Sequence, residues 1–155
     1  MRALLARLAI PWHAFVGNHD DRAHFRAVFG ERPEIPADGF IQYAFDIGDV
    51  RVIALDTLDT LDTLDTLDTL DTLDLGRLRL AWLEAELDAS RNRPVLIGMH
   101  HPPVACGIGF MDAIRFAPGD SRALDALVRR HPNVERIVCG HVHRAITARF
   151  GGTIV

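Results

Sequence analysis

The sequence predicts an α/β fold, with strands that end in polar motifs and helices that carry the chain from one strand to the next. Three observations support this. Short apolar runs at 14–16, 94–97 and 134–138 each break off into Gly or His beside ligand-type side chains, as strands do where an open α/β sheet carries its site at their carboxyl ends. Leucines recur at helical spacing after two of these runs or before the next, at Leu80, Leu83 and Leu87 beside Trp82, and at Leu124 and Leu127. Two strand-like runs, 40–47 and 51–56, flank Gly48-Asp49, the turn chemistry of a hairpin.

Taken in order, residues 2–9 read as the last two turns of an amphipathic helix stopped by Pro11. Ala14-Phe15-Val16 reads as a strand leading into Gly17-Asn18-His19-Asp20. Asp21 can cap a helix through about Phe29, and Gly30 can end it as a left-handed residue. Pro33, Pro36 and Gly39 make a loop before the hairpin. A helix over 78–90 packs its leucines on the sheet, and 94–99 is a buried strand. Residues 102–119, rich in Pro and Gly, read as an irregular loop facing a substrate. Asp120 or Ser121 caps a helix to about Arg130, and the strand 134–138 delivers Cys139-Gly140-His141-Val142-His143. Gly140, lacking a Cβ, lets the chain turn there so that both imidazoles converge. A last hairpin spans 145–150, Gly151-Gly152 and 153–155, and the chain reads as cut at both ends.

Between 55 and 75 the triplet Leu-Asp-Thr runs six times and closes with Leu-Asp-Leu. Residues three apart in an α-helix are separated by roughly 300°, so the leucines wind round every side and no apolar face forms. In a strand the same period sends them alternately to both faces. The stretch 57–74 is therefore expected to be a low-complexity insertion, a disordered acidic loop outside the fold. The seven aspartates between 55 and 75 account for the sign of the charge, since the net −4 would be +3 without them.

With 155 residues, 48% of them hydrophobic and 25% charged, the chain is the size and composition of one globular domain. No block of Lys or Arg offers a field to a nucleic acid polymer or a membrane surface, so neither is expected as a partner. The start is far too short for a membrane span and lacks a signal peptide's apolar core. Cys106 and Cys139 give no disulfide framework, and a cytoplasmic location follows as the simpler expectation.

Three strand ends of one chemical type imply one shared site. An Asn amide oxygen, several imidazoles and no clustered thiolates suit Mn²⁺, Fe²⁺, Co²⁺ or Zn²⁺. Such a set is too poor in oxygen for Ca²⁺ and lacks the Cys pairs of structural zinc.

Together, Gly17-Asn18-His19-Asp20, His100-His101-Pro102-Pro103 and Gly140-His141-Val142-His143 resemble the calcineurin-like metallophosphoesterases. Gly107-Ile108-Gly109-Phe110-Met111-Asp112 is similar to the class III cyclic nucleotide phosphodiesterases and their glycerophosphodiesterase relatives within that family. The resemblance implies part of an αββα sandwich, mixed sheets flanked by helices, as a single partial domain over 1–155. It further implies that Asn18, His100 and His141 hold one of two divalent ions and His143 serves the other. By the same match His19 is the catalytic residue beside the scissile phosphate, acting as proton donor or charge stabiliser, while His101, Asp20 and Asp112 support the ligands or the substrate. The implied reaction is hydrolysis of a small phosphodiester, most simply a 3′,5′-cyclic nucleotide, by a metal-activated hydroxide. The family's Asp-x-His and Gly-Asp motifs do not stand ahead of Gly17, and His13 and His24 are poor replacements. At most partial metal binding is expected in consequence. A metal-binding fragment without turnover, a glycerophosphodiesterase or phosphomonoesterase, and an interaction protein built on the repeat are the alternatives. Exposed strand ends leave a homodimer open.

Overall fold

The computed structural model describes residues 2–58, 72–113 and 118–155. A four-stranded mixed sheet organises them. Strand β1 (Tyr43–Ile47) and strand β2 (Val50–Leu55) form the hairpin expected at Gly48-Asp49, with Ile47 opposite Val50 and Gly48 at φ +56°. Strands β3 (Val95–Met99) and β4 (Val134–Cys139) then add in parallel, giving the order β1-β2-β3-β4. The parallel pairs require crossovers, and helices supply them. Before the sheet lie helix α1 (Arg2–Leu5) and helix α2 (Arg22–Phe29). Helix α3 (Thr72–Ala89) joins β2 to β3, and helix α5 (Pro118–Arg129), preceded by the short helix α4 (Gly109–Ala113), joins β3 to β4. A two-residue ladder between β5 (Arg149–Phe150) and β6 (Thr153–Ile154) closes the chain.

Alternation along β2 explains the two cores. Ile53 and Leu55 point to the face covered by α3 and α5, where they meet Leu83, Leu87, Ile97, Leu124 and Ile137. Ala54 points to the other face, with Tyr43, Val16, Phe25 and Ile41. A strand buried on both sides is the mark of an interior parallel strand. At the edge, β4 buries Val134 and Ile137 but leaves Val138 48% exposed, so its outer face is open. Among the described residues no helix is long and apolar enough to cross a membrane.

Several expectations need correction. Residues 14–16 form no strand, although Val16 is buried; side chains hold the segment instead, with Tyr43 Oη donating to Ala14 O at 2.6 Å and the Phe15 ring lying where a Cβ on Gly98 would stand, 2.8 Å from Cζ. The first helix is shorter than 2–9. Asp21 caps α2 as expected, its Oδ1 accepting from His24 N at 2.9 Å, but Gly30 is right-handed at φ −66°. Glycine is needed there because a Cβ would come within 2.5 Å of Arg26 O. Residues 102–119 are not wholly irregular, for α4 lies inside them and α5 starts at Pro118, where a proline suits the first turn. Most of the Leu-Asp-Thr repeat, 59–71, lies outside the described residues. At its two ends, Thr57 and Leu58 are buried and α3 begins at Thr72.

Candidate metal centre

The sheet register sets the site. Leu55 pairs with Met99 and Met99 with Cys139, so the three parallel strands end at one level. Two residues further along each chain stand Thr57, His101 and His141. Strand alternation turns the last ladder residues Leu55 and Met99 into the core, and the following polar residues gather at the sheet's carboxyl edge.

Three imidazoles meet there. Ligand-type atoms of His100, His101 and His141 all lie within 4.8 Å of one another. Their ring centroids are 4.9 Å apart for His100–His101, 5.1 Å for His100–His141 and 4.7 Å for His101–His141. Asn18 joins them, its Oδ1 2.7 Å from His100 Nε2. The rings of His101 and His141 are 4% and 6% exposed. Burial first, then the neighbouring imidazoles His101 and His141, push His100 down to about 4; Asp20 pulls in the opposite direction and His19 adds to the depression. His100 is thus neutral at pH 7 and offers a lone pair, which a metal ligand must.

Two glycines make room for the His100 ring. A Cβ on Gly17 would stand 2.9 Å from His100 Nδ1, and one on Gly140 would stand 3.2 Å from it. Gly140 therefore serves close approach, and its backbone N–H donates to His100 O at 3.1 Å. The expected turn at Gly140 falls instead on the histidines themselves, with His141 at φ +69° and His143 at φ +51°. Non-glycine residues in that region cost of order 1–3 kcal/mol each, and such strain gathers at working sites. A hydrogen bond from Val142 N to Gly140 O, 2.8 Å, closes the turn around His141.

The rings of Cys139-Gly140-His141-Val142-His143 do not converge. His141 turns inward, while His143 is exposed and stands outside the cluster, its carbonyl accepting from Arg144. His101, expected behind the ligands, stands in the cluster itself. His19 and Asp20 are exposed on the rim. Asp20 Oδ2 accepts from Gly17 N at 2.8 Å and so fixes the Asn18 turn. Asp112 holds a loop, its two oxygens accepting from Cys106 N at 2.6 Å and Gly107 N at 2.9 Å. His13 stacks on Phe45 and His24 lies beside Asp21, so neither reaches the cluster. Cys139 is pushed up to about 12, by burial first and then by Cys106, and it stands outside the cluster.

Sequence reasoning missed Asp56 and Thr57. Asp56, 1% exposed, accepts from Arg22 Nε at 2.8 Å, Arg22 Nη2 at 3.0 Å, Ile41 N at 2.8 Å and Leu58 N at 2.9 Å. Thr57 Oγ1 accepts from His101 N at 3.1 Å and lies 3.0 Å from His101 Nδ1. Both residues belong to the first Leu-Asp-Thr triplet, and only the apolar run of β2 leading into it distinguishes that triplet from its five copies.

The donor set fits one divalent ion. Three imidazoles, His100 among them held neutral by burial, and an amide oxygen converge on a locus closed by strand ends, and among the described residues no carboxylate or thiolate joins the cluster.

Comparison with known proteins bears on this arrangement. The profile of the calcineurin-like phosphoesterases matches residues 1–145. A glycerophosphodiester phosphodiesterase of Enterobacter lignolyticus is 34% identical over 153 residues, covering 96% of this chain and 51% of that protein. A protein of Rhodopseudomonas palustris named as a probable cyclic nucleotide phosphodiesterase is 35% identical over 155 residues, 98% of this chain and 53% of its own. The 3′,5′-cyclic adenosine monophosphate phosphodiesterase of Pseudomonas aeruginosa is 30% identical over 151 residues, 97% of this chain and 49% of its own. The chain spans about half the length of the curated relatives it matches.

Proposed function

The chain belongs to the calcineurin-like phosphoesterase family, and from that premise we propose that it carries part of the metal-ligand set of a phosphodiesterase that hydrolyses a small phosphodiester, with a 3′,5′-cyclic nucleotide as the substrate class. The convergence of Asn18, in the turn after residues 14–16, with His100 and His141, which follow β3 and β4, is the observation that carries this reading. These three residues would hold one divalent ion, from among Mn²⁺, Fe²⁺, Co²⁺ and Zn²⁺. When bound, such an ion supplies Lewis acidity to a phosphoryl oxygen and lowers the pKa of water.

The chain's own residues do the rest. Burial holds His100 neutral, so its lone pair is available without a proton being displaced. Gly17 and Gly140 fix where its ring stands. Asp20, through Gly17 N, holds the turn that presents Asn18 inward and His19 outward to the rim. From there His19 can give a proton to the departing alkoxide or stabilise its charge. His143, exposed and outside the cluster, would serve a second ion.

The names of the Rhodopseudomonas and Pseudomonas relatives support the cyclic nucleotide, and that of the Enterobacter relative supports a glycerophosphodiester as the second reading. Purified chain loaded with Mn²⁺ and assayed on bis(p-nitrophenyl) phosphate, cyclic AMP and glycerophosphocholine tests both. Metal-dependent cleavage with cyclic AMP preferred is the expected result. A metal-to-protein ratio near zero at saturating Mn²⁺ would overturn the site.

A further inference from the structure

Hydrogen-bond accounting at Thr57 decides what His101 can do. A hydroxyl has one proton to donate and two lone pairs. Thr57 is buried at 3% exposure, and among the described residues both partners of its Oγ1 belong to His101. The backbone N–H of His101 donates to Oγ1 at 3.1 Å, which uses a lone pair. The Thr57 proton must still find an acceptor, since a buried donor left unmade costs about 1–3 kcal/mol. His101 Nδ1, 3.0 Å away, is that acceptor. A ring that accepts at Nδ1 carries its own proton at Nε2 when neutral.

We propose that Thr57 locks His101 as the Nε2–H tautomer, so that His101 faces the site with a hydrogen-bond donor for the phosphate group of the substrate and not with a lone pair for a cation. Thr57 is thereby a positioning residue acting through His101. This deepens the reading of the site as a metal and phosphodiester centre and rests on it for the identity of the anion. It gives His101 a role of its own beside the adjacent His100, through the hydroxyl that faces its Nδ1.

The tautomer is read directly from long-range ¹H–¹⁵N spectra of the ¹⁵N-labelled, metal-free 155-residue chain above pH 7. An Nε2–H pattern for His101 is expected; an Nδ1–H pattern or a doubly protonated ring overturns the proposal. Thr57→Ser should keep the pattern, whereas Thr57→Val should lose it and lower diester hydrolysis about tenfold, within the range for removing a partner that orients a site group. Unchanged spectra in Thr57→Val overturn the role of Thr57. On titration with Zn²⁺ the rings of His100 and His141 should shift while His101 keeps its pattern, and a His101 ring that becomes a ligand overturns the assignment. If Zn²⁺ moves none of the three rings, the metal reading fails while the tautomer is still measured, so the two fail separately.

Discussion

Two buried histidine environments in this chain differ in one respect, and that respect separates a site from a structural support. His131 is 1% exposed, just past the end of α5, with Nδ1 2.9 Å from Leu127 O and Nε2 3.0 Å from Asp88 Oδ1. Each nitrogen is thus engaged by an oxygen of the fold, and neither is turned toward a place where a cation could stand. The bond from His131 is the first reason the Asp88 carboxyl is held below the usual carboxylate range. At the strand ends, by contrast, the imidazoles face one another, an amide oxygen and a hydroxyl. Burial alone does not mark a functional histidine. The chemistry of what each nitrogen faces does.

Substitutions that exchange these roles should break the comparison if it is wrong. His100→Ala removes a ligand outright, so Zn²⁺ affinity measured by equilibrium dialysis should fall by more than the roughly 100-fold lost with a supporting partner alone. Its stability to urea should change little. His131→Ala should do the reverse: a loss of about 2–4 kcal/mol in urea unfolding, from the cavity and the unmade bonds, with Zn²⁺ affinity kept within about twofold. An equal effect of both variants on metal binding would erase the distinction.

Gly17→Ala sharpens it further. The added Cβ would meet the His100 ring at 2.9 Å, closer than the ring can tolerate without moving. Affinity for Zn²⁺ should drop about tenfold, and Gly140→Ala, where the gap is 3.2 Å, should cost less.

A pH profile distinguishes the two regions without touching the metal. Burial, reinforced by His101 and His141, depresses His100 from 6.5 to about 4 in the folded chain. Between those values the unfolded chain takes up a proton that the folded one refuses, so stability of the metal-free protein should fall as pH drops from about 6.5 to about 4. Urea midpoints across that window should flatten in His100→Ala, and a slope unaltered by the substitution would count against the depression. The smallest effect is expected at Asp112→Asn, about 1 kcal/mol or less from weakening two bonds to the Cys106-Gly107 backbone, with Zn²⁺ binding unchanged.

Much of this architecture was legible from the chain. Gly48-Asp49 as a hairpin turn, Asp21 as a cap, and Leu83 and Leu87 as the inner face of a helix all follow from local rules and all appear. The strand at 14–16 did not form, because apolar content is not pairing: Ala14 and Phe15 are held by the Tyr43 hydroxyl and by packing on Gly98. His143 was grouped with His141 because they are two residues apart, yet the left-handed turn sends one ring inward and leaves the other outside.

By itself the sequence determined the alternation of strand and helix and the polar motifs at the strand ends, since periodicity and turn chemistry act between near neighbours. Only tertiary structure decided that the first Leu-Asp-Thr reaches the site and which histidines meet. Six identical triplets share every local propensity, and among the described residues the first is held by β2 in register with β3 and β4. That register, Leu55 to Met99 to Cys139, sets Thr57, His101 and His141 side by side.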